Sequence, residues 1–134
     1  MKKVHIHTFG GAIAGNKAPP SPTSRPWDLC LNVMHLKDPH DSGLKPETQK
    51  IFLGLNVEAV EFISSFADFT VRGVLEEFDE AAVAINCWCG WARSVSLAEI
   101  LASYWRESGL EVDVVHLHHD VKPPHMYESE LIGD

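Results

Sequence analysis

The stretch CWCGWARS, residues 87–94, holds the residue types and spacing from which an anion site is built. It follows an apolar run, AAVAIN, and precedes a segment with helical spacing of apolar residues. The first turn of a helix leaves backbone N–H groups unpaired, and the helix dipole favours negative charge there. Gly90 lets the backbone curl so that successive N–H groups converge on one anion. Arg93 adds a planar, permanently charged fork that matches phosphate oxygens. Two roles stand open for Cys87: the nucleophile of a phosphate-cleaving enzyme, or one wall of a pocket that only holds the phosphate.

Such a loop acts only if strands and helices present it. KVHIHT, residues 3–8, alternates and reads as a first strand. FGGAIAGNKAPPSPTSRPW is dense in Gly, Pro, Ser and Asn. It exceeds the about 12–15 residues beyond which a loop in a compact domain is usually a binding segment or disordered. DLCLNVMHL reads as a second strand, with Cys30 as an inert core residue on it, and Lys45–Lys50 as a short helix. Apolar residues from Val57 to Phe78 keep helical spacing, with Gly73 a bend or break. AAVAIN has the continuous apolar character of a strand buried on both faces. Ser94–Glu107 is helical, Ser96 and Glu99 have the spacing of a capping box, and Gly109 stops the helix. LEVDVVHLHHD supplies a last strand. Strands alternating with helices predict a single α/β domain over residues 1–121: a mostly parallel sheet with helices on its faces, and the anion-binding loop between a strand and a helix. Residues 122–134 read as an acidic tail.

Composition narrows the function classes. The formal charge of −8, from 19 acidic and 11 basic residues, argues against binding nucleic acid through its phosphates. No apolar run approaches the ~20 residues needed to span a bilayer, so no membrane role is expected. The opening MKKVHIHTFGGAIAG is interrupted by His5, His7, Thr8 and glycines, which argues against a signal peptide. Three cysteines, Cys30, Cys87 and Cys89, read as reduced thiols in a cytoplasmic protein. His5 and His7 lie two apart, as do His116 and His118, so each pair shares a strand face. Were those strands neighbours, four imidazoles could converge on zinc; without a C-x-x-C or H-E-x-x-H pattern, neither a metal nor another cofactor is expected.

The letters C-x-x-G-x-x-R-S resemble the signature loop of cysteine-dependent phosphatases. That resemblance implies a Cys87 thiolate attacking phosphorus, Arg93 holding the equatorial oxygens, Ser94 easing thiolate departure, and Asp38 or Asp41 as general acid. Asn86 stands where a histidine usually precedes the cysteine. A second resemblance spans most of the chain. TFG (Thr8–Gly10), DLCLNVMHLKDPH (Asp28–His40), AVAINCWCGWARSVSLAEILA (Ala82–Ala102) and VVHLHHD (Val114–Asp120) follow the order of blocks in the C-terminal domain of RapZ proteins. Those are RNase adapters that sense glucosamine 6-phosphate. This resemblance implies a ligand-sensing pocket in which Cys87, Gly90, Arg93 and Ser94 cradle the phosphate. His40 would contact the ligand, His118 and Asp120 would line or brace the site, and Thr8 and Gly10 fall in the first matching block.

Asn32 and Met34 stand where the family has an acidic and a basic residue, and Trp88, Cys89 and Ala92 replace its threonine, glycine and histidine. The phosphate end of the pocket is kept and the sugar end is not. Trp88 and Trp91 offer flat stacking surface, so a different phosphorylated ligand with a planar base fits, with ordinary packing as the alternative role of the two rings. The expectation is a stand-alone binding module for a small phosphorylated metabolite, a sugar phosphate or nucleotide-like, regulatory or sequestering rather than catalytic. The alternative is the Cys87 phosphatase. On the macromolecular side, a homo-oligomer or a protein partner met through the tryptophans and acidic tail stands open.

Overall fold

The computed structural model describes residues 2–121, so the expected acidic tail, 122–134, lies outside the described residues. Four strands form one parallel sheet in the order β2-β3-β1-β4: β1 (Lys3–Gly10), β2 (Leu29–Asn32), β3 (Glu80–Cys87) and β4 (Glu111–His116). The helices are the single turn α1 (Gly11–Ala14), α2 (Pro46–Leu55), α3 (Val57–Glu77) and α4 (Arg93–Glu107), followed by a 3-10 turn at His119–Val121. The α/β class and the parallel sheet are those expected from the sequence.

Register decides which residues meet the helices. Val4 and Ile6 of β1 lie beside Ala81 and Val83 of β3 and beside Val112 and Val114 of β4. Together with Ile85 and Cys87 they pack into one core with Phe52 of α2, Val60, Ala67, Val71 and Leu75 of α3, and Leu97, Leu101 and Trp105 of α4. The three long helices therefore share one face of the sheet. The buried Trp105 indole donates to Asp68 of α3 at 2.9 Å, so its polar edge stays satisfied inside the core. The opposite face carries His5, His7, Ala82, Ala84 and Cys30. The long connection between β1 and β2 lies against it, with Trp27 edge-on to His7 at 5.3 Å between ring centroids.

Several local expectations change. The second strand ends at Asn32 rather than Leu36: Asn32 Oδ1 accepts from Met34 N at 3.0 Å, and Leu36 N closes a turn onto Val33 O. Cys30 is exposed, not a core residue, because its side of β2 faces away from the helices. Gly73 does not break α3, which runs on from Val57 to Glu77; packing of Val71 and Leu75 carries the helix through it, against a propensity cost of roughly 1 kcal/mol. Ser96 and Glu99 form no capping box. The helix begins at Arg93, which puts Ser96 in its first turn, where the buried hydroxyl finds no hydrogen-bond partner among the described residues.

The neighbour condition for a zinc site is met, since β1 and β4 pair. However, Thr8 lies beside His116 and Asp113 beside His5, so His116 faces the helices while His5 and His7 face away. No group of three or more His, Cys, Asp or Glu side chains suited to a metal is found among the described residues.

Candidate functional site

The connections leaving β1 and β3 diverge, one running past β3 toward β2 and the other past β1 toward β4. The crevice at such a switch point, beyond the strands' carboxyl ends, is where open α/β sheets collect ligands. Gly10 and Cys87 are register partners at this edge. The two loops pack backbone to backbone: a Cβ on Gly10 would lie 2.5 Å from the Cys89 carbonyl carbon, and one on Gly90 would lie 2.6 Å from Gly10 N. Gly90 also has φ +72°, a left-handed conformation that glycine adopts without strain.

The loop delivers the chain into α4, whose N-cap residue Ala92 offers no side-chain bond to the first-turn N–H groups. Cys87 Sγ lies 3.2 Å from Ser94 Oγ, and both side chains are buried. Arg93 is only 3% exposed. Its Nη1 donates to Met34 O and to Leu36 O, the latter at 3.2 Å, and its Nε stands 3.7 Å from Asp38 Oδ2. The guanidinium thus ties the loop after β2 to the start of α4.

Asp38 in turn accepts from His40 N at 2.7 Å, which stabilises the turn that places His40 at φ +60°. The His40 ring is half-exposed, with Nδ1 3.9 Å from Asp38 Oδ2. Asp41 accepts from Ser42 N at 2.7 Å and pairs with Lys45 at 3.1 Å. Gly43 lies directly on the start of α4: its N–H donates to Trp91 O at 2.9 Å, and a Cβ there would lie 2.6 Å from Ser96 N.

The end of β4 closes the cluster. His118 Nδ1 accepts from Gly10 N at 2.8 Å, and burial lowers its pKa below the ordinary histidine value. The Ser42 hydroxyl and His119 Nε2 are 2.7 Å apart, and the His119 ring lies 6.4 Å from that of Trp91. Trp88 is 42% exposed, its carbonyl accepting from Ala12 N at 3.0 Å, and Asp120 is fully exposed, 3.6 Å from His119 Nδ1.

Thr8 is placed differently. Its hydroxyl is fully buried on the helix face, 2.7 Å from His116 Nδ1, and His116 Nε2 is 2.8 Å from Glu99 Oε2. The imidazole's hydrogen bond is the main reason the Glu99 carboxyl titrates below its usual range. This hydroxyl–imidazole–carboxylate chain staples β1, β4 and α4 together, and the buried hydroxyl is out of reach of a substrate.

The structure therefore gathers Gly10, His40, Cys87, Trp88, Gly90, Trp91, Arg93, Ser94 and His118 at one edge and sets Thr8 inside. Sequence reasoning missed Ser42 and Gly43. The SG pair in KDPHDSG marked a turn, but nothing local says which helix the turn will cover. It also missed the Glu99–His116 link, since Glu99 was assigned to a cap. No protein-family model matches the chain, and no curated protein matches it.

Proposed function

We propose that the loop cluster at the carboxyl edge of the sheet binds a small phosphorylated metabolite without hydrolysing it. On this reading the chain is a cytoplasmic sensor or sequestering module akin to the RapZ C-terminal domain. The observation that carries the reading is the joint placement of Gly90, Ser94 and the buried Arg93 around the start of α4, where Ala92 supplies no side-chain cap, at the switch point of the sheet. Convergent N–H groups and a nearby fixed cation are what a phosphate requires. Half-exposed His40 and exposed Trp88 leave ring surface open to a sugar or a planar base.

The 3.2 Å contact between Cys87 and Ser94 favours the phosphatase as second reading, because a hydroxyl beside the sulfur is what thiolate departure needs. Its weak point is the acid. The Asp38 side chain is fully buried and engaged with His40 N and Arg93, so it does not reach a leaving group. Asp41, partly exposed, is the remaining candidate.

Thermal-shift measurements with inorganic phosphate, glucosamine 6-phosphate and nucleoside monophosphates, beside an aryl-phosphate turnover assay, separate the readings. A binding module gives stabilisation that Cys87→Ser retains and Trp88→Ala weakens for the base-bearing ligands, with no turnover. Turnover abolished by Cys87→Ser makes the protein an enzyme, and no stabilisation by any phosphate sinks the proposal.

A further inference from the structure

The outer side of α3 carries three phenylalanines that the fold leaves in solvent: Phe62 is 75% exposed, Phe66 49% and Phe69 78%. At 3.6 residues per turn they and Gly73 fall within a stripe about 60° wide, and Phe62 and Phe69 are about 10 Å apart along the axis. A Cβ on Gly73 would meet nothing within 4 Å among the described residues, so the stripe continues as a flat step onto which another backbone can close. From the exposed fractions, the three rings present on the order of 400 Å² of apolar surface. That is about the size of the largest apolar patch on a typical monomer, and such patches are often functional.

We infer that this stripe is the interface of a twofold dimer in which α3 packs antiparallel against α3 of a second copy. The stripe is close to self-complementary. Phe62 and Phe69 lie equally far from the midpoint between Ser65 and Phe66, so a twofold axis there sets Phe62 of each copy against Phe69 of the other, with the Phe66 rings meeting at the centre. An isologous contact requires this property, and an arbitrary partner would not need it.

Charge points the same way. About that axis Glu58 falls one residue, about 1.5 Å, from the level of Arg72 of the other copy, and the two share one flank of the stripe, so the antiparallel arrangement brings them within reach of each other. Within the chain Arg72 already donates to Asp68 at 2.9 Å and to Ser108 at 3.0 Å, which fixes the guanidinium on that flank. A stable dimer buries about 800 Å² per partner. The rings supply about half, and Glu58, Ser65, Arg72 and Gly73 on the same helix extend the patch. This inference is independent of any ligand at the sheet edge.

Sedimentation velocity over a concentration series tests it on the full chain. Wild type is expected to dimerise, and both Phe62→Glu and Phe69→Glu to be monomers with unchanged circular dichroism, since neither ring belongs to the core. Glu58→Arg is expected to weaken the dimer, and Glu58→Arg with Arg72→Glu to restore it. A monomer at every soluble concentration, leaving the ridge to another protein or a lipid surface, overturns the inference. A dimer indifferent to the phenylalanine changes, or a charge exchange that fails to restore it, does so as well.

Discussion

Arg93 illustrates how one residue can be placed by sequence and yet hold more than its sequence role. The spacing from Cys87 assigns it to an anion; the structure also gives it two carbonyls, Met34 O and Leu36 O, and a carboxylate neighbour, Asp38. Removing one partner of a buried ion pair leaves the other charge without compensation, which costs about 3–5 kcal/mol. Arg93→Ala is therefore expected to lose stability of that order in urea unfolding, as well as any phosphate binding. A loss below about 1 kcal/mol, the range of a solvent-screened pair, would show that the tie to Asp38 and the carbonyls is not structural. Binding tests on this variant must accordingly be run where it is still folded.

Among the elements, the site depends on four strand ends being laced together. His118 joins the end of β4 to Gly10, and His119 joins it to Ser42. The Gly10 contact needs a lone pair at Nδ1, and burial lowers the His118 pKa below 6.5. The unfolded chain, with the higher value, takes up the proton first. The contact's contribution is thus complete above pH 6.5, declines as pH falls through that value, and is lost once pH has dropped past the lowered one. Protection of the Gly10 amide against hydrogen exchange, relative to its β1 neighbours, should fall between about pH 7 and 5. Unchanged protection across that range would remove His118 as the tie.

This is also the scale at which legibility in the sequence stopped. β3, its loop and α4 were readable because an apolar run, a glycine and a helical period are local signals. The end of β2 was not, since the apolar residues Val33, Met34 and Leu36 prolong the run of the strand, while the carbonyls of Met34 and Leu36 are drawn to Arg93 some 57 or more positions away. Cys30 was misassigned for a related reason: alternation gives two faces, and only the packed helices say which one is the core.

At the scale of the whole molecule, three long helices on one face leave the sheet dependent on a loop for the other, and leave β4 as an edge. Arg106 donates to Val112 O at 3.0 Å, occupying an outward carbonyl of that edge and blunting it against strand addition. Among the described residues no helix is long and apolar enough to cross a membrane. The molecule thus presents two separate surfaces, the loop-lined edge of the sheet and the phenylalanine ridge of α3. Whether the first binds phosphate is read most simply by phosphorus NMR. Glucosamine 6-phosphate and a nucleoside monophosphate are each titrated with protein and followed over hours. The phosphorus resonance of at least one of them is expected to broaden or shift in proportion to protein, while no inorganic phosphate appears. Unperturbed resonances for both, or an inorganic phosphate signal that Cys87→Ser abolishes, would overturn the binding reading.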